Sequence, residues 1–223
     1  MNDRQMALQF CPFFYSDKNE PFRIKYIGYS IIRGNGKSPS FNRMIDIPEG
    51  VDCIVEYAIY FDYDIQHMYD LEHVWVYISP EGTVVDAESS THGQFVNCYR
   101  LRGDWIDGTR IPLYFQPGKH AIMPRPELFQ LYNNYMTCCM EDAGKDGLLV
   151  PDMLRHAMKT DDSIDAAIHK YVQKNFRFQP TLQYVPSPME DVVFYPIEEL
   201  LEQIPKSIEN ALRSAMAVPD DGE

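Results

Sequence analysis

VDCIVEYAIYFDYDIQHMYDLEHVWVYIS, residues 51–79, is the stretch from which the fold can be read. Its two ends, 51–62 and 72–79, are dense in β-branched and aromatic residues, which suit a pleated, half-buried surface. Along the second, Asp70, Glu72, Val74, Val76 and Ile78 leave one face of an extended chain, while Leu71, His73, Trp75 and Tyr77 leave the other. Paired as a hairpin, the two strands would gather the residues between them at one end of a sheet.

Outward from this hairpin, further short strands are expected at 22–32, 83–88, 94–101 and 110–115. Turn residues separate them: Gly34-Asn35-Gly36, Pro48-Glu49-Gly50, Pro80-Glu81-Gly82, Asp107-Gly108 and Pro117-Gly118. From Arg125 the period changes. Leu128, Leu131, Tyr132, Tyr135 and Cys139 recur at helical spacing behind Pro126. Asp161-Asp162-Ser163 opens a second helix carrying Ile164, Ile168, Tyr171 and Val172. A third starts near Pro196 with Leu200, Leu201, Ile204, Ile208 and Leu212 on one face, and Pro205 should kink or split it. Residues 178–193 read as an ordered surface connection. Strands followed by helices predict an α+β fold, with a central antiparallel β-sandwich and flanking helices concentrated in the C-terminal half. One domain, 1–223, is expected, mainly β over 1–123 and mainly helical over 124–218.

The 223 residues include 33 Asp+Glu against 20 Lys+Arg, a net charge of −13. A field of that sign repels phosphate backbones and anionic lipid, so neither nucleic-acid binding nor polybasic membrane docking is expected; a cationic partner or a divalent metal fits better. No apolar run reaches the length of a membrane span, and the N-terminus lacks the basic start, apolar stretch and cleavage site of a signal peptide. Cys11, Cys53, Cys98, Cys138 and Cys139 show no C-x-x-C spacing and are odd in number. Five free thiols and a cytoplasmic location are the expectation.

Ligand-type side chains concentrate between residues 61 and 77. Asp70 and Glu72 begin a strand face that is otherwise apolar, and two like charges at a core edge are costly unless something neutralises them. A divalent cation would do so. His67 lies in the preceding turn, and Asp62 and Asp64 close the preceding strand, so the candidate ligands are His67, Asp70, Glu72 and one of Asp62 or Asp64. An oxygen-dominated set suits Ca²⁺ or Mg²⁺, with Mn²⁺ also compatible. Two further polar islands follow, Glu88-Ser89-Ser90-Thr91-His92-Gly93 and Gly118-Lys119-His120.

His67-x-x-Asp70-x-Glu72 ahead of an apolar strand is similar to the H-x-x-D-W-E core of the heptapeptide that marks the necrosis- and ethylene-inducing-like proteins, the NPP1 family. Ala58-Ile59-Tyr60-Phe61 resembles that family's A-I-M-Y strand, Ser90-Thr91-His92-Gly93 its S-x-H-G segment, and Lys119-His120-Ala121-Ile122 its N-H-A-L. Asp70-Leu71-Glu72-His73-Val74 is also similar to the D-W-E-H-V-type strand of the more distant Vps62-related proteins. Tyr69 stands where the heptapeptide has its second His, and Leu71 where it has Trp. The resemblance implies a β-sandwich flanked by helices and a divalent cation, usually calcium or magnesium. It places that cation on His67, Asp70, Glu72 and an upstream Asp, with His120 near it. Secreted members of the family are plant cytolysins that act on sphingolipid headgroups; the metal site, rather than that activity, is what is expected to carry over.

Three functions fit these residues. One is a binding module that takes a sugar, polyol or lipid-headgroup-like ligand at an open metal position, with Tyr60, Tyr63, Tyr69 and Trp105 as aromatic neighbours. A second is a metal-dependent hydrolase with His120 or His92 as general acid or base. The third is a structural protein whose cation secures a hairpin. No nucleophile motif, phosphate loop or nucleotide fingerprint occurs in the chain, and the binding module is the expectation.

Overall fold

The computed structural model describes residues 1–102, 108, 110–150 and 158–217. The chain opens with helix α1 (Asp3–Phe10), where the Asn2 side chain caps Gln5 N and the Gln5 side chain returns to Asn2 N. Strands β1 (Phe13–Asp17), β2 (Tyr26–Ile32), β3 (Gly36–Lys37) and β4 (Met44–Ile45) follow. The long hairpin is β5 (Cys53–Tyr63) and β6 (Met68–Ile78), continued by β7 (Val84–Thr91) and β8 (Gln94–Asn97). A short helix α2 (Cys98–Arg102) precedes β9 (Pro112–Phe115) and β10 (Ile122–Met123). The C-terminal part carries α3 (Asp162–Asn175), β11 (Tyr184–Pro186), β12 (Val193–Pro196) and α4 (Ile197–Met216). The expected α+β class, with the long helices in the C-terminal half, is what the fold has.

Six strands form one sheet in the order β12-β2-β5-β6-β7-β8, and four form a second in the order β10-β9-β1-β11. Both carry an unexpected parallel pair, β12 with β2 and β1 with β9, so the sheets are mixed rather than wholly antiparallel. The sheets share one core. Phe61 of β5 meets Phe115 of β9 edge-on at 5.4 Å between centroids, and Ser89 of β7 donates to Ile122 O of β10 at 2.8 Å. The period-2 reading of β6 holds: Val74, Val76 and Ile78 enter this shared core, while Trp75 and Tyr77 join Ile45 and Ile54 in a smaller cluster on the outer face. A strap through β3 and β4 covers that outer cluster. It is tied down by buried Glu56, which accepts hydrogen bonds from the hydroxyls of Ser38 and Ser40. Helix α4 buries Leu200, Ile204, Ile208, Ala211 and Ala215, and Gly28 lets it lie close on β2, since a Cβ there would come within 2.4 Å of Leu200.

Two helical expectations need correction. Residues 125–139 form 3-10 turns over Pro126–Leu131 and Thr137–Cys139, not an α-helix. The expected stripe does not bury as one face: Leu131 is exposed and Leu128, Tyr132 and Tyr135 are half-buried, while Phe129 and Cys138, which lie off it, bury together with Cys139. Pro205 lies inside α4, which runs from Ile197 to Met216, so of the kink or split expected there the split does not occur. All five cysteines are free and buried, with the Cys138 and Cys139 sulfurs 3.7 Å apart. Among the described residues no helix is long and apolar enough to cross a membrane.

Candidate functional site

The connection between β5 and β6, residues 64–67, is held from both sides by backbone hydrogen bonds. Ile65 N donates to Gly118 O at 2.7 Å, while Gly144 N donates to Ile65 O at 2.7 Å and Asp146 N to Gln66 O at 2.8 Å. The Gly118 turn is itself closed by Gln116 N to Ala121 O and His120 N to Gln116 O, at 2.8 and 2.9 Å. Gly118 adopts φ +69°, and a Cβ there would stand 2.7 Å from Ile65 Cβ, so both conformation and space require glycine. Glu20 accepts from Gly118 N at 2.7 Å and ties the turn to the segment before β2.

This scaffold brings Asp64, Asp70 and His120 together, with one potential ligand atom from each lying within 4.8 Å of the others. His120 Nδ1 is 3.3 Å from Asp70 Oδ2, and its Nε2 is 3.7 Å from Glu20 Oε1. Asp64 is almost fully buried. Its Oδ1 accepts from Gln66 N at 2.6 Å and from Lys119 Nζ at 3.1 Å, and its Oδ2 has no partner. His67 Nε2 is 3.7 Å from Asp64 Oδ1. Glu72 is on the Asp70 face of β6, buried, and accepts a hydrogen bond from the Ser90 hydroxyl. Three residues other than glycine in the neighbourhood, Tyr69, His92 and His120, have positive φ, at 49°, 47° and 54°. Strained backbone of this kind persists only where the surrounding structure enforces it and is concentrated at functional sites.

Burial and charge set the protonation of the cluster. Burial would raise Asp64, but His67, Lys119 and His120 around it and the Gln66 N–H hold it below the usual carboxylate range. Glu72 goes the other way, pushed well up by burial and then by the charge of Asp70. Burial would lower His120; hydrogen bonds to Asp70 and Glu20 and their charges overcome that and raise it to about 10. Lys119 is likewise raised, burial being outweighed by Asp64 and Asp70.

Asp64, Asp70, Glu72, His67 and Lys119 line a cavity of about 660 Å³ that opens at the end of the six-stranded sheet. It forms there because β6 outruns its neighbour: β7 pairs with β6 only from Val74 onward. Phe41 and Asn42 of the strap, Ser90 and His92 of the β7–β8 hairpin, and Leu201 and Ile204 of α4 complete its walls. The lining combines carboxylates and an ammonium with apolar and aromatic surface.

Of the residues singled out from the sequence, Asp64, His67, Tyr69, Asp70, Glu72 and His92 line this cavity. Asp62 does not join them. It is ion-paired to Lys25 at 2.8 Å and faces a separate cavity of about 420 Å³. Tyr63 faces that second cavity too and donates to Ala211 O at 3.3 Å. Tyr60 is buried in the shared core. His120 is wholly buried behind Asp70 and stacked on Phe61, so it touches the cluster but not the cavity. His92 Nε2 is bound to Gln116 Oε1 at 2.8 Å. Trp105 lies outside the described residues. Sequence reasoning missed Glu20, which lies 98 residues from the glycine it binds and carries no local signal.

The spacing of the cluster suits a cation. Oxygens that share one calcium at about 2.3–2.6 Å stand no more than about 5 Å apart, and the Asp64–Asp70–His120 atoms meet that condition. The unpartnered, buried Oδ2 of Asp64 is a second feature that fits, since such an atom is costly without a partner. Lys119 already balances part of the charge of Asp64, so an ion would have to compete with it.

No family model matches the chain, and no curated protein matches it in sequence. Among solved structures it is similar to "NLPPya in complex with glucosamine", at 14% identity with a TM-score of 0.38, over 54% of this chain and 65% of that one. At that level the likeness carries no argument about the site.

Proposed function

We propose that this chain binds a small polyhydroxylated ligand, a sugar or polyol, in the 660 Å³ cavity through a divalent cation held by the carboxylates of Asp64 and Asp70, with His120 beside Asp70. One observation carries the reading: a buried carboxylate with an unpartnered oxygen stands in a three-residue cluster whose members Asp64 and Asp70 open directly into a ligand-sized space. The cation would supply a coordination position for paired hydroxyls. Asn42, Ser90 and His92 offer hydrogen-bonding groups around it, and Tyr69 and Phe41 offer faces for the ligand's carbons. Glu72, whose pKa is pushed well up by burial and by the charge of Asp70, lines the same space.

Titration of a panel of monosaccharides and polyols, with calcium or manganese and again with chelator, tests this. Binding is expected only with the metal present, and is expected to be lost in Asp64→Asn and Asp70→Asn. Ligand affinity that chelator leaves unchanged would remove the cation from the proposal.

A further inference from the structure

Lys119 puts its ammonium on one of the carboxylates that would hold a cation. Nζ stands 3.1 Å from Asp64 Oδ1, and 12% of the Lys119 side chain and 1% of the Asp64 side chain is exposed. The backbone beneath it is fixed: Lys119 N donates to Gln116 O at 3.2 Å, and the flanking Gly118 is bound at both N and O, by Glu20 and Ile65. The side chain is not so constrained. Lysine is a compact charge on a flexible four-carbon stem, and Lys119 lines the cavity, which leaves it room to leave Asp64. An ammonium on Oδ1 and a divalent ion on Oδ2 of one carboxylate stand within a few ångströms of each other and repel, most strongly in a buried site.

From this geometry, and resting on the cation reading above, we infer that Lys119 is an internal counter-cation that occupies the Asp64 carboxylate in the metal-free protein and swings into the cavity when a divalent ion binds. Its position has two consequences. The empty cluster never presents a bare pair of buried carboxylates, so the site keeps its shape without metal. Metal affinity is also held below what the same carboxylates would give alone, because each ion must displace the ammonium. Once displaced, the ammonium stands at the rim of the cavity, where it can donate to a ligand hydroxyl.

The test is calorimetric titration of Ca²⁺ and of Mn²⁺ into metal-stripped wild type, Lys119→Met and Lys119→Arg. Removing the competing charge is expected to tighten binding about 5- to 150-fold, the span of coupling between linked sites, while Lys119→Arg stays near wild type. Wild type and Lys119→Met with equal affinity would overturn the inference and leave the cation site standing. No binding to either protein would take the cation site away and this inference with it. A readout on the wild type guards against misfolded variants: reaction of Lys119 with an amine-acylating reagent, followed by peptide mass spectrometry, should speed up when Mn²⁺ is added. A rate that saturating Mn²⁺ leaves unchanged would also overturn it.

Discussion

The imidazole of His120 lies flat on the ring of Phe61, with centroids 3.8 Å apart and planes 2° from parallel. Phe61 is the register partner of Asp70 across the β5–β6 ladder, so one hairpin supplies both the platform under the imidazole and the carboxylate that faces its Nδ1. The orientation of His120 is therefore set by β-sheet register, 50 residues away in sequence.

Phe61 should be among the costliest truncations in the chain. It is 1% exposed and touches both Phe115 and His120. Phe61→Ala is expected to lose about 3–5 kcal/mol in denaturant unfolding, with Phe61→Leu losing less. A loss under about 1 kcal/mol would mean that the two sheets do not meet there as described.

Gly118→Ala should damage the site from the turn that carries Lys119 and His120. The new Cβ meets Ile65 Cβ and Cγ2 at 2.7 and 2.8 Å, at a φ that L-residues rarely adopt. A cost of about 1–3 kcal/mol is expected. Gly34→Ala, with nothing within 4 Å of its Cβ, serves as the control and should be near neutral. Equal melting temperatures for the two variants would contradict the packing of the turn on Ile65.

His73 should make the protein acid-sensitive. Burial drives its pKa from the ordinary 6.5 down to about 3, so between those values the unfolded chain binds a proton that the folded chain refuses. Stability from this residue is complete above the unfolded value and is lost as pH falls from about 6.5 toward 3, by up to about 1.4 kcal/mol per pH unit. His73→Phe, which can still stack on Trp75 and meet Phe41 edge-on, should flatten that limb relative to wild type. Urea midpoints measured from pH 7 to pH 4 decide the matter, and parallel curves for the two proteins would count against a buried neutral imidazole.

Much of this site is legible in the sequence. The alternation in 70–78 placed Asp70 and Glu72 on the core-facing side of β6, and the Ala58–Phe61 run placed the partner strand. The hairpin logic also brought Asp64 and His67 to one sheet end. What could not be read was set by pairings distant in sequence. Asp62 and Asp64 are equivalent in a strand pattern, but Phe61 takes the Asp70 face of the ladder, which leaves Asp62 on the other, where it pairs with Lys25, 37 residues upstream. Glu20 reaches the Gly118 turn across 98 residues. The parallel pairing of β1 with β9 likewise joins segments about 100 residues apart. The misread helix over 125–139 had a helical period, but Phe129 and Cys138, which bury there with Cys139, lie off that face, and period alone does not decide what packs. The capped N-terminus of α1, with Asn2 and Gln5 at capping-box spacing, was in the sequence and could have been read.

The most direct measurement is calorimetric titration of calcium and manganese into metal-stripped wild type beside Asp64→Asn. One ion per chain is expected to bind wild type, and Asp64→Asn, which keeps the shape of the side chain but removes its charge and one ligand oxygen, should weaken that binding about 100-fold or more. Wild type that takes up neither ion at millimolar concentration, or Asp64→Asn that binds as tightly as wild type, would mean that the Asp64–Asp70–His120 cluster holds no metal.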